Sequence, residues 1–173
     1  PPRLDVGALE VTEDDKTVAV ATAEIKVSFD RHSGLMSVTD LRNGKVVAEE
    51  TKEVDFGKGR TTFSLRNHDD EYFYGGGVQN GRFSHRGKRI EIVNTNSWTD
   101  GGVASPAPFY WSTKGYAAMP YTFKPGEYDF GSTDKSTVTL THDTSYLDMF
   151  LMVDSTPTAL LRDYYQLTGN PVL

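Results

Sequence analysis

The stretch 72–115 reads YFYGGGVQNGRFSHRGKRIEIVNTNSWTDGGVASPAPFYWSTKG and contains both tryptophans of the chain and a large share of its glycines. It opens with a triple glycine at 75–77. Because glycine has no Cβ, such a run lets a ligand or another chain segment approach the backbone closely. Two apolar runs follow at 89–93 and 109–111, each with the length and composition of a β-strand. The stretch therefore predicts two strands separated by a long connection.

That connection, residues 94–108, consists mainly of Asn, Thr, Ser, Asp, Gly and Pro, with one tryptophan, Trp98. A loop of this length in a compact domain is usually functional or disordered, and Trp98 argues against disorder. Two interpretations of Trp98 remain open. It either covers a local core or stacks on a sugar as part of a substrate wall presented by a rigid sheet.

Short strands separated by turn residues are predicted along most of the remaining chain. Residues 23–30 alternate between apolar and polar, which is typical of a half-buried antiparallel strand. Further strands are predicted at 35–41, 46–49, 53–56, 61–65, 116–121, 127–130, 136–142 and 147–153. Roughly a dozen short strands at regular spacing predict an all-β, antiparallel β-sandwich.

One helix is predicted, over Pro157–Thr168. Thr156 is suited to the N-cap, proline is tolerated at the first helical position, and Gly169 is suited to the C-terminal cap. The apolar residues that recur at helical spacing are Leu160, Leu161, Tyr164 and Leu167. The predicted organisation is a β-sandwich over 1–154 and, over 155–173, a helix and linker that lead towards a further domain.

The composition bounds the class of protein. The 173 residues fit one domain, and 37% hydrophobic and 24% charged residues are typical of a soluble globular protein. The net charge of −6 disfavours a nucleic-acid partner, since phosphate binding needs a basic surface. No apolar run reaches membrane-spanning length, so no membrane partner is expected. The opening PPR is typical of a cut within a longer protein, and nothing indicates the compartment.

No catalytic constellation is recognisable. Of the three neighbouring acids Asp69, Asp70 and Glu71, only Asp69 and Glu71 could share one face of an extended chain, whereas glycosidase chemistry needs two carboxyl groups that face each other about 5 Å or more apart. The four histidines have no metal-ligand spacing, and the chain has no cysteine, no serine-nucleophile motif and no phosphate loop. We therefore predict no catalytic residue, no metal and no cofactor in this chain.

Aromatic and amide side chains remain as candidates for a binding site, because flat apolar faces beside paired donors and acceptors suit a sugar ring. Four residues of the long loop are predicted to bind substrate: Asn94, Asn96, Trp98 and Asp100. The rings of Phe73, Phe109 and Trp111 are assigned to the sandwich core instead.

Six short motifs, in their order and spacing, resemble the N-terminal β-sandwich domain of glycoside hydrolase family 31, the retaining α-glucosidase and α-transglycosylase family. The resemblance covers residues 24–173. The motifs are YGGG (74–77), RGKR (86–89), VNTN (93–96), PFYWS (108–112), KGY (114–116) and YQLTGNP (165–171).

The resemblance implies a galactose mutarotase-like supersandwich whose partner is a catalytic (β/α)8 barrel that comes after residue 173. The nucleophile and the acid/base, both Asp in this family, would lie in that barrel, so the chain is expected to be inactive alone. The loop 94–108 corresponds to a loop that shapes the sites for an α-linked oligosaccharide. Asn96 stands where many relatives carry an acid, which leaves a specialised transglycosylase or an α-N-acetylgalactosaminidase open beside an α-glucosidase.

A different class of protein also fits, namely a free-standing carbohydrate-binding or adhesion module. The two interpretations differ in the part of the gene beyond the Leu173 codon. The first expects a barrel with two catalytic Asp residues there, and the second expects a stop codon.

Overall fold

The computed structural model describes residues 7–171, which form thirteen β-strands and one α-helix. The strands are β1 (Glu10–Glu13), β2 (Thr17–Ala21), β3 (Ile25–Asp30), β4 (Met36–Asp40), β5 (Lys45–Glu49), β6 (Thr61–Arg66), β7 (Phe73–Gln79), β8 (Arg89–Ile92), β9 (Val103–Ser112), β10 (Tyr116–Pro120), β11 (Gly126–Phe130), β12 (Thr137–His142) and β13 (Met149–Val153). A short 3-10 turn, Gly57–Gly59, precedes β6, and the helix α1 spans Pro157–Thr168. The predicted all-β fold with one C-terminal helix is confirmed.

The strands form three antiparallel sheets. The first is a meander of β1 to β5 in chain order, the second has the order β13-β10-β9-β7, and the third has the order β6-β12-β11-β8. A bridge between Glu50 and Leu65 joins the end of the first sheet to β6 of the third. Buried apolar side chains from all three sheets form one core. The architecture is therefore the predicted sandwich.

The central stretch supplies the middle of this core. Tyr110 of β9 is fully buried, and its ring lies edge-on to the rings of Phe73, Tyr128 and Phe130 at centroid distances of 5.1 to 6.1 Å. Because side chains alternate along a strand, the neighbouring Phe109 lies on the opposite face of the second sheet, in a separate apolar cluster. The core assignments of Phe73 and Phe109 agree with the prediction.

The helix packs on this opposite face. The Thr156 hydroxyl accepts a hydrogen bond from the Ala159 N–H at 3.3 Å, and the N–H of Gly169 donates to the Tyr165 carbonyl at 2.8 Å. The four apolar residues predicted to face the sandwich all contact the cluster of Phe109, Ala117, Met119 and Met152. The predicted bounds and packing of α1 are confirmed. None of the helical segments within residues 7–171 has the length and apolarity needed to cross a membrane.

Two of the strand predictions are wrong. Residues 53–56 do not form a strand, since Asp55 makes only an isolated bridge to Thr62. The loop predicted over 94–108 is shorter, because 103–108 already belong to β9. The two prolines in this part of β9 disfavour a strand by local preference, so the sequence did not predict it. They are tolerated because β10 pairs only with the last three residues of β9, and no described strand pairs with the proline half on that side.

The triple glycine lies inside β7, which pairs with β9 around an irregularity in register. The φ angles of Gly75, Gly76 and Gly77 are +112°, +76° and +76°. A Cβ at Gly75 would lie 2.6 Å from the carbonyl oxygen of Phe109, and one at Gly77 would overlap the backbone of Ser105. The segment that approaches Gly75 and Gly77 closely is therefore β9 of the same chain, whereas Gly76 faces the Ile90 side chain of β8.

Candidate functional site

The loop 93–102 connects β8 to β9. Asn80, which follows β7, binds this loop through hydrogen bonds. The Asn80 N–H donates to the carbonyl of Gly102 at 3.0 Å, and its own carbonyl accepts the N–H of Gly101 at 2.9 Å. Its side-chain amide donates to the carbonyl of Ser97 at 2.7 Å. A polar loop is thus fixed at its middle and at its end without being buried.

Three of the four predicted site residues form a connected group on this loop. The side-chain oxygen of Asn94 accepts the N–H of Asn96 at 2.9 Å, and the side-chain oxygen of Asn96 accepts the indole N–H of Trp98 at 3.3 Å. Asn96 has a positive φ of +50°, a conformation that asparagine tolerates better than most residues. We call Asn94, Asn96 and Trp98 the amide–tryptophan group.

The indole of Trp98 is 72% exposed, so it does not cover a local core within the described chain. The other tryptophan behaves differently, because Trp111 is half-buried and stacks on Tyr74 with ring centroids 4.4 Å apart. Trp98 therefore presents a free aromatic surface, whereas Trp111 is part of the packing of the second sheet.

The fourth predicted residue, Asp100, stands apart from this group. Its carboxylate lies against Gly81, where a Cβ would overlap it, and Gly81 has a φ of +70°. Within residues 7–171, no hydrogen bond joins Asp100 to the amide–tryptophan group. Asp100 is exposed and lies on the same loop, but outside the hydrogen-bonded group.

Asp69 and Glu71, the two acids considered as a catalytic pair, differ in their exposure to solvent. Asp69 is exposed, whereas Glu71 is fully buried and accepts hydrogen bonds from the Ser112 hydroxyl and, at 3.0 Å, from the His68 N–H. Burial raises the pKa of the Glu71 carboxyl, and the hydrogen bond from Ser112 opposes this. Arg86 donates to the backbone carbonyls of His68 and Glu71. Glu71 thus stabilises the corner before β7, a role that the sequence did not indicate.

Two histidines are hydrogen-bonded inside the sandwich. His85 bonds through Nε2 to the Gly75 carbonyl at 2.8 Å, while His142 lies between the Tyr128 hydroxyl and the Lys124 carbonyl, each at 3.0 Å. Burial lowers the pKa of both imidazoles. In the part of the chain that the structure describes, no group of three His, Asp or Glu side chains could hold a metal ion.

The basic side chains near β8 interact within the chain. Arg82 donates to the Arg89 carbonyl at 2.8 Å, and Arg89 lies 3.4 Å from carboxylate oxygens of both Glu127 and Asp129. Because these guanidinium groups are engaged in intramolecular contacts, they do not form a free basic surface of the kind that binds phosphates.

Replacing Asn80 by Ala removes the side-chain bond to Ser97 and should loosen the loop locally. One such bond contributes about 0.5–1.5 kcal/mol, so we expect amide hydrogen exchange in 93–102 to become several times faster while the core stays protected. A matched control is Asn43→Ala, because Asn43 also precedes a glycine and donates to Asp40 at 2.9 Å, but in a different turn. Unchanged exchange in the loop of Asn80→Ala would show that the Asn80 side chain does not hold it.

The architecture is an all-β sandwich of antiparallel sheets with one helix on its outer face. The chain belongs to the family of glycosyl hydrolase 31 N-terminal galactose mutarotase-like domains, whose family model matches residues 5–129. The resemblance inferred from the motifs is thereby confirmed, although the motif at 165–171 lies beyond the matched residues.

Solved structures share the fold across 95% of this chain. A dextranase of Flavobacterium johnsoniae in complex with isomaltotriose is 18% identical with a TM-score of 0.88. The cycloalternan-forming enzyme of Listeria monocytogenes with a pentasaccharide substrate is 17% identical with a TM-score of 0.84, and an α-xylosidase from a soil metagenome with xylose is 19% identical with a TM-score of 0.80. The matched part is 21%, 17% and 27% of those chains, respectively, so this chain spans about a fifth of the enzymes it resembles.

Proposed function

We propose that the chain is the accessory domain of a retaining enzyme that acts on α-linked oligosaccharides, and that the loop 93–102 forms one wall of its substrate site. The observation that carries the proposal is the amide–tryptophan group, which is ordered by hydrogen bonds and yet exposed to solvent. The enzymes with the same fold that were solved with isomaltotriose or a pentasaccharide support an oligosaccharide as the ligand.

The chemistry of the group suits a sugar. The exposed face of Trp98 can stack on the apolar C–H face of a pyranose ring. The side-chain NH2 groups of Asn94 and Asn96 form no hydrogen bond to any described residue, while their oxygens are occupied within the loop. They are therefore free to donate to sugar hydroxyl groups in an orientation fixed by the loop.

The catalytic carboxylates, in this proposal, belong to a barrel outside this chain, and α1 with its following residues leads to it. The sandwich over 1–154 is the scaffold, and 155–173 are the connection. An open loop contacts only one side of a sugar, whereas tight small-ligand sites bury most of the ligand. The site would therefore be completed only when the barrel faces the loop.

Trp98→Ala in the full-length protein should lower kcat/KM for α-linked oligosaccharides without unfolding the domain. A lost stacking face or hydrogen bond is worth about 1–3 kcal/mol at the transition state, or roughly 5- to 150-fold in kcat/KM. The melting temperature should stay close to that of the wild type because the indole is mostly exposed.

Asn96→Ala is the companion variant, since it removes both a sugar donor and the acceptor that orients the indole. Wild-type kcat/KM in both variants would show that the loop is only scaffolding. Loss of folding in Trp98→Ala would show that the tryptophan is required for packing.

A further inference from the structure

A cleft of about 210 Å³ lies beside the first residues of the loop 93–102. Its walls are the end of β8, the proline half of β9 and the turn between β10 and β11. Asn94 lines it from the loop, Pro106 and Pro108 line it from β9, and Phe123 and Lys124 line it from the turn. The cleft therefore borders on the amide–tryptophan group through a shared residue, Asn94.

The ring of Phe123 is fully exposed to solvent at the rim of this cleft. Its turn is nevertheless held firmly: the carbonyl of Lys124 accepts the Nδ1–H of the buried His142 at 3.0 Å, and the carbonyl of Pro125 accepts the N–H of Asp143 at 2.9 Å. The turn therefore holds the Phe123 ring beside the cleft with its faces open to a ligand.

We propose that Phe123 and Asn94 form a second carbohydrate subsite, which takes the outer sugar units of the oligosaccharide whose inner units contact Trp98. This inference rests on the proposed function. Asn94 lines the cleft and is joined to Trp98 through Asn96 by hydrogen bonds, so the two surfaces adjoin along the loop. Among the described residues that line the cleft, Lys124 alone carries a charge, which suits an uncharged ligand. Phe123 supplies the stacking face, Asn94 the hydrogen-bonding group and the proline rings an apolar floor.

The test compares Phe123→Ala with Phe83→Ala in the full-length protein. Phe83 is a matched control, because it is also a mostly exposed phenylalanine, at 86%, and lies outside the strands in a different part of the chain. Its ring contacts Tyr74 of β7. The probes are isomalto- and malto-oligosaccharides of three and of seven glucose units. With Phe123→Ala, kcat/KM for the heptasaccharides should fall about 2- to 10-fold, the range that one aromatic contact supplies, and it should stay within about twofold for the trisaccharides. Phe83→Ala should behave as wild type at both lengths.

Other outcomes separate this inference from the function on which it rests. Equal loss on both lengths, no loss on the heptasaccharides, or the same loss in Phe83→Ala would overturn the outer subsite. If Trp98→Ala lowers kcat/KM while Phe123→Ala does not, only the outer subsite fails. If neither variant changes kcat/KM, the proposed role of the loop fails as well.

Discussion

Gly77→Ala should destabilise the 173-residue chain by about 2–5 kcal/mol, the sum of a left-handed backbone penalty and an overlap in a packed region. The φ of Gly77 is +76°, an angle that any residue with a Cβ adopts at a cost. The added methyl group would also overlap the carbonyl of Ser105 and the N–H of Ala107 in β9. Because both obstacles are backbone atoms, they cannot move aside without breaking the pairing of β7 with β9.

The matched control is Gly34→Ala. Gly34 has nearly the same φ, +73°, but no atom of the described chain beyond its immediate neighbours lies within 4 Å of the position that its Cβ would take. The two substitutions share the backbone penalty and the entropic effect on the unfolded chain, so their difference in unfolding free energy measures the close approach alone. We expect Gly34→Ala to cost about 1–2 kcal/mol. Equal losses in urea titrations would mean that β9 does not constrain Gly77.

The helix and the turns of this fold could be predicted because their signals are local. Thr156, Pro157 and Gly169 each act within one turn of α1, and the recurrence of leucine at helical spacing marks the buried face without reference to any other strand. The same holds for β3, whose alternating pattern is visible in the sequence of the strand itself.

The strands β7 and β9 were harder to predict because what defines them is distant in sequence. Three glycines and two prolines both disfavour a strand by local preference. Gly77 pairs with Pro106, so the residue without a Cβ lies opposite the residue without an N–H. Gly77 leaves room for the backbone of β9, and the prolines lie in the half of β9 that β10 does not pair, and both reasons are apparent only once the strands are placed side by side.

The loop itself was predictable from its composition, but its anchor was not. Asn80 contacts residues 17 or more positions away, and nothing in its local sequence distinguishes it from Asn43, which also precedes a glycine. Glu71 is a comparable case. Its sequence neighbours, Asp69 and Asp70, suggest a solvated turn. Its carboxylate is instead buried, and the Ser112 hydroxyl and the His68 N–H donate hydrogen bonds to it.

Leu160→Ala should lower the unfolding free energy by about 2–5 kcal/mol, the range for deleting a fully buried leucine side chain. Leu160 is 1% exposed and is the only residue of α1 within the described chain that is fully enclosed. Helix propensity cannot account for such a loss, since alanine is the better helix former. The expected loss therefore reports the contact of α1 with Phe109, Met119 and Met152 on the second sheet.

Leu41→Ala is the control for Leu160→Ala, because Leu41 is 41% exposed and its backbone N–H bond to Glu24 does not depend on the side chain. Its expected cost is below about 1 kcal/mol, as for surface substitutions in general. The measurement is the denaturant midpoint of each variant, compared where the unfolding free energy falls with denaturant at the same slope in both. If both midpoints shift equally, Leu160 does not pack α1 against the second sheet. If only Leu160→Ala shifts, the helix is part of the cooperative unit, and a domain attached after it would be joined to the sandwich through a packed helix rather than a flexible tether.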